Sequence, residues 1–203
     1  MATTSDPKES RSRVPASERR DALTDAAVHE FAHGGLHGTP VDRIARRVGV
    51  AQPYVFSLFG SKRELFMAAV ARGFELVGET FTRTAAEFDP DSLPAEIDVL
   101  RAMGASYLGL LESHRDYLML QHQAYAACED PVIRDHVRSL YANLVGHVER
   151  LANEAAQRHG EPTPTAERID EFFRYGMWMN VAAAMGVEDL SAGCEWVRAH
   201  AHK

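Results

Sequence analysis

Between Gly34 and Ser61 the chain is interrupted about every ten residues, and this punctuation restricts its fold more than any other feature. Gly34-Gly35, Thr39-Pro40, Gly49, Pro53 and Gly60-Ser61 bracket stretches whose apolar residues recur at helical spacing. The first helix is expected from an N-cap at Ser17, with Leu23, Ala26, Ala27, Val28 and Phe31 on one face, and stops at Gly34-Gly35. The second opens at Thr39, whose hydroxyl suits the free N–H groups, with Pro40 in the first helical position and Asp42 completing a capping box. Val41, Ile44, Ala45 and Val48 form its apolar face, and Gly49 ends it. The third spans Gln52 to Phe59, where a proline is tolerated because it lies in the first turn.

Ser61 is expected to cap a long helix over 61–88, followed by the linker FDPDSLP and helices near 95–113, 115–128, 131–159, 165–186 and 188–200. Sustained strand alternation, Asn-Gly hairpins and 20–50-residue repeats are missing, so the fold class is all-α. Residues 1–16, polar and with two prolines, read as a disordered arm, 17–63 as a three-helix N-terminal domain, and 64–203 as a larger helical domain joined by helix 61–88. Hydrophobic residues at 45% and charged residues at 25% exclude wholesale disorder. No apolar run reaches the ~18 residues of a membrane span, and the N-terminus lacks the apolar core of a secretory signal, so a cytoplasmic protein is expected. Cys128 and Cys194 are expected to be reduced thiols.

The net charge of -7 conceals an asymmetry. Residues 1–63 hold ten Lys/Arg and seven Asp/Glu, or +3; the remainder holds 12 and 22, or -10. A basic head on an acidic body directs attention to nucleic acid. Helices two and three joined by a glycine turn make a helix-turn-helix. Ala45 is small enough for the helix crossing, and Gly49 accepts a left-handed backbone. With Val50, Val55 and Phe59 turned inward, Gln52, Pro53, Tyr54 and Ser57 are left for the major groove and flanking phosphates. Gln suits an adenine edge, and Pro and Tyr suit thymine methyls.

Across A26-A27-x3-F31-x2-G34-G35, T39-P40-V41-D42-R43-I44-A45-R46-R47-V48-G49-V50 and V55-F56-S57-L58-F59-G60-S61-K62-R63-E64-L65, the sequence resembles the TetR family of bacterial transcriptional regulators. The resemblance implies a DNA-binding head, a C-terminal ligand-binding and dimerisation domain, and a homodimer that represses until a small molecule releases it. Thr39 and Lys62 would fix the DNA backbone, with Arg43 and Arg47 beside them. The family's capping Ser falls on Ala51, its frequent phosphate-binding Tyr on Phe56, and a frequent His or Tyr on Leu58. Dimerisation is expected through helices 165–186 and 188–200, the second carrying Leu190, Trp196 and Val197. It would set two recognition helices roughly 34 Å apart on a palindromic double-stranded operator. Met103, Tyr107, Met119, His122, Tyr125, Phe173, Met177 and Asn180 would enclose an apolar or aromatic effector.

A competing motif is His29-Glu30-Phe31-Ala32-His33, the H-E-x-x-H of zinc metallopeptidases. With Phe31 in the core, both histidines are expected to face solvent, and no third ligand or cleft is evident. His37 is near enough in sequence to join a loose surface metal site, but solvated histidines are the simpler expectation, so no metal, cofactor or enzyme activity is assigned. A third reading, a helical small-molecule binder that has lost DNA binding, rests on Ala51 and Phe56.

Overall fold

The computed structural model describes residues 15–187 apart from residue 95, so the helix expected at 188–200 and the arm before residue 15 lie outside the described residues. Every regular element among the described residues is helical. The order is α1 (Ala16–Gly38), α2 (Val41–Val48), α3 (Gln52–Phe59), α4 (Lys62–Glu87), α5 (Val99–Ser113), α6 (Arg115–Ala126), α7 (Pro131–His159) and α8 (Ala166–Met185). Short 3-10 turns follow α4 at Pro90–Ser92 and α6 at Ala127–Glu129.

Three local expectations are corrected. The helix α1 starts at Ala16 behind Pro15 with no side-chain cap, so Ser17 lies inside it. It does not stop at Gly34-Gly35 but kinks there, Gly35 taking φ 61° and ψ -178°, and runs on to Gly38. Thr39 does not cap α2: its buried hydroxyl donates to the Glu30 carbonyl at 3.1 Å, and Pro40 takes the N-cap place. The cause is close approach, since a Cβ on Gly34 would lie 2.4 Å from Thr39 Oγ1. Asp42, freed from a capping box, pairs with Arg46 at 3.1 Å. The other signals hold. Gly49 is left-handed (φ 73°) and closes α2 with N–H bonds from Gly49 and Val50 to Arg46 and Ala45. Ser61 caps α4 by accepting from the Glu64 N–H at 3.1 Å. The start of α5 is a further correction: Asp98 caps it, so it begins at Val99 rather than near residue 95.

The buried side chains form two clusters. The first joins α1–α3 to the early turns of α4 (Leu65 to Phe74), the end of α6 (Leu120, Ala124) and the start of α7 (Ile133, Val137), so it crosses the division expected at residue 63. Leu23, Phe31, Ile44 and Phe66 are fully buried in it, each contributing about 1.5–3 kcal/mol of burial. The second gathers the later turns of α4 with α5, α7 and α8. Helix α4 thus enters both cores, as do α6 and α7.

Candidate DNA-facing head and apolar cavity

On α3, Val55 and Phe59 are buried, while Gln52, Pro53, Phe56 and Ser57 are exposed on the opposite side. This follows from the spacing: 55 and 59 are one turn apart and fix the helix to the core. Tyr54 is half-buried against the head cluster, and the Ser57 hydroxyl donates to the Tyr54 carbonyl at 2.7 Å. Helix α3 begins at Gln52 behind the N-cap Ala51, which makes no side-chain cap hydrogen bond. Arg20 of α1, unforeseen from the sequence, ties α3 down by donating to the Leu58 carbonyl at 2.6 Å and lying over the Phe59 ring at 4.3 Å. No periodic signal marks such a contact, because it depends on how α1 crosses α3.

The cations around α3 are held from beneath. Lys62 donates to the His37 carbonyl at 3.2 Å, and its partial burial pulls its pKa below the ordinary lysine value. Arg43 and Arg47 both reach the buried Glu30 carboxylate, at 3.6 and 3.1 Å. Their side chains remain 59% and 48% exposed, so each keeps donors turned to solvent. Thr39 does not share this surface, its side chain being buried. The H-E-x-x-H is split by the same geometry: Glu30, the base a peptidase would need, points inward to the two arginines. Nor are both histidines solvated, since His29 Nδ1 meets Asp116 of α6 at 2.5 Å.

Beside the second core, α4, α5, α6, α7 and α8 leave a cavity of ≈ 50 Å³, room for about four waters. Five of the eight expected residues line it: Tyr107, Tyr125, Phe173, Met177 and Asn180. Met103 instead lies wholly in the core, and Met119 packs between the two clusters. His122 turns its ring to the Asn180 carbonyl at 3.1 Å. The walls are Phe81, Phe172 and Phe173, whose rings meet edge to face with centroids 5.3–5.5 Å apart.

One end is polar. Gln121 Oε1 accepts from Asn180 Nδ2 at 3.0 Å and from the Tyr125 hydroxyl at 3.3 Å, while Asn180 Oδ1 is buried without a hydrogen bond of ordinary geometry. Burial raises the Tyr107 pKa well above the ordinary phenol value, and burial with the neighbouring Tyr141 and Cys128 pushes Tyr125 up to about 12, so both phenols stay neutral. Gln121 was legible: it falls on the buried face of α6 with Leu118 and Tyr125, three and four residues away. Beside the cavity, α8 exposes Met177, Trp178, Val181 and Met185, at 40–57% exposure, as one apolar stripe.

Residues 23–69 match the family model for bacterial regulatory proteins of the tetR family. Over 60 residues the chain is 42% identical to the HTH-type transcriptional activator FasR of Mycolicibacterium smegmatis, a stretch covering 30% of this chain and 27% of that protein. Among solved structures, a TetR-like transcriptional regulator from Rhodococcus sp. RHA1 superposes with a TM-score of 0.61 at 23% identity, over 94% of this chain and 100% of that one. FadR from Bacillus subtilis, solved with stearoyl-CoA, gives 0.64 at 14% identity, over 82% and 87%. These likenesses extend the shared fold from the matched head to the helical body.

Proposed function

From the match of residues 23–69 to the tetR family of bacterial regulatory proteins, we propose that the chain is a member of that family, a homodimeric, effector-released repressor acting on a palindromic operator in the cytoplasm. The observation that carries the reading is α3, clamped through Val55, Phe59 and Arg20 with Gln52, Pro53, Phe56 and Ser57 outward. Gln52 suits an adenine edge, and the Phe56 ring, where a hydroxyl is missing, suits a thymine methyl. Tyr54 borders this face, and Lys62, Arg43 and Arg47 supply charge toward phosphates. The apolar stripe of α8 is the face that a second copy would cover, which supports a dimer through 165–186 with help from the residues beyond.

The effector we propose has an apolar body against Phe81, Phe172 and Phe173 and a polar end at Gln121 and Asn180. A stearoyl-CoA complex of FadR, which shares the fold, supports an acyl-type ligand. The cavity is small, so such a ligand enters by displacing side chains. Displacement reaches the head through α4, whose Phe74 belongs to the head cluster and also lines the cavity. Binding then shifts the population toward a head spacing that no longer matches successive major grooves.

The test is selection of bound fragments from a random duplex pool at physiological salt, using the native protein and Gln52→Ala/Phe56→Ala. A palindrome enriched by the native protein alone supports the reading; no enrichment by folded native protein removes it. Transcription from the selected site then assigns the sign. A fall is expected, and a rise would align this chain with FasR instead.

A further inference from the structure

The two histidines of α1 meet a carboxylate from another helix. His29 Nδ1 is 2.5 Å from Asp116 Oδ2, and His33 Nε2 is 3.8 Å from Asp116 Oδ1. One ligand atom from each of the three residues lies within 4.8 Å of the others. We infer that His29, His33 and Asp116 form a binding site for one borderline transition-metal dication of the zinc class, stapling α1 of the head to the first turn of α6.

The donor set and its surroundings carry this. Imidazole and carboxylate together suit zinc, cobalt or nickel, whereas magnesium and calcium favour all-oxygen sites. Bonds of ~2.0–2.1 Å in a tetrahedron place ligand atoms about 3.3 Å apart, between the two separations seen here. Modest rotations of three partly exposed side chains close that difference, their exposures being 40%, 64% and 34%. The His33 ring is already oriented: its Nδ1–H donates to the His29 carbonyl at 2.8 Å, which leaves the Nε2 lone pair facing Asp116. Metal-ligating histidines are held by such a second hydrogen bond to a carbonyl or carboxylate. Water reaches the remaining coordination position. With Glu30 committed to Arg43 and Arg47, the motif's own base is turned away from the metal, and the site holds rather than hydrolyses.

Its place gives the site a consequence. Among the described helices α1 packs most extensively on α6, and α6 also carries Gln121 and Tyr125 to the cavity. A metal across this joint fixes the head against the helix that senses the effector end of the body. This consequence rests on the proposed function; metal binding itself does not.

Chelator-stripped full-length protein is titrated with Co²⁺, read by visible absorption, and the cobalt is then displaced with Zn²⁺. One cobalt per chain is expected, with affinity weakened at least about tenfold in His33→Gln and in Asp116→Asn and unchanged in His37→Gln. His33 and Asp116 are exposed enough that both variants fold, which circular dichroism checks. Failure of the native protein to take up cobalt, or uptake undiminished in His33→Gln and Asp116→Asn, overturns the assignment, whatever the outcome with DNA.

Discussion

The head and the body use the same material, amphipathic helices, to opposite ends. In the head the helices are tied down by specific contacts: Phe31 meets Phe66 edge-on at 5.1 Å, Arg20 clamps α3, and Glu30 holds two arginines in place. In the body, packing is left unfinished. A cavity persists among aromatic rings, the buried Asn180 Oδ1 makes no hydrogen bond of ordinary geometry, and an apolar stripe faces outward on α8. A surface that must present side chains to a fixed lattice of base pairs gains from rigidity, whereas a region that must answer a ligand needs alternatives close in energy. The contrast suits the two functions proposed for head and body, which α4 joins.

The largest effect expected to break or sustain this contrast comes from two aromatic truncations. Phe31→Ala, at a fully buried position, is expected to cost about 3–5 kcal/mol in denaturant unfolding. Phe173→Ala, at the wall of a cavity that already exists, is expected to cost about 1–2 kcal/mol because no new sealed void is made. Equal losses would mean that the two cores are packed alike.

Glycines sharpen the comparison at smaller scale. Gly35 occupies a backbone region open essentially to glycine alone, and an added Cβ would lie 2.6 Å from Gln123 Oε1; Gly35→Ala is expected to destabilise by about 1–3 kcal/mol. Gly104 lines the cavity inside α5, where a Cβ would meet Phe172 at 3.9 Å. Gly104→Ala is therefore expected to stabilise by about 0.5–1 kcal/mol while narrowing the cavity. Thermal unfolding of the two variants reads the opposite signs.

The smallest effect lies where head and body meet. Asp130 caps α7 and pairs with Arg63 at 3.3 Å, and its pKa is held below the ordinary 3.8, chiefly by the Val132 N–H. A depressed carboxyl contributes stability above its unfolded value and loses it as pH falls through the folded one. Asp130→Asn keeps the cap without the charge, so its acid unfolding below about pH 4 is expected to be shallower than that of the native protein.

Much of this was legible because local chemistry decided it. Gly49 demanded a left-handed turn and received one, and Ser61 capped α4 as its position suggested. The all-α class and the ends of α6, α7 and α8 followed from periodicity. What failed depended on contacts between elements distant in sequence. Thr39 looked like a cap until Glu30 and Gly34 claimed it. Met103, Met119 and His122 had the composition of pocket residues, but which way each helix rolled was set by its neighbours. His29 looked solvated because Asp116, 87 residues away, leaves no trace in a local pattern.

The most direct measurement is the ratio of affinities for the selected operator and for random duplex of equal length, at one salt concentration, for Gln52→Ala/Phe56→Ala and for Phe173→Ala. The α3 variant, folded as well as the native protein, is expected to retain binding to random duplex but to lose the preference for the operator, while Phe173→Ala without effector keeps it. An α3 variant that still prefers the operator would contradict the assignment of α3 as the reading element.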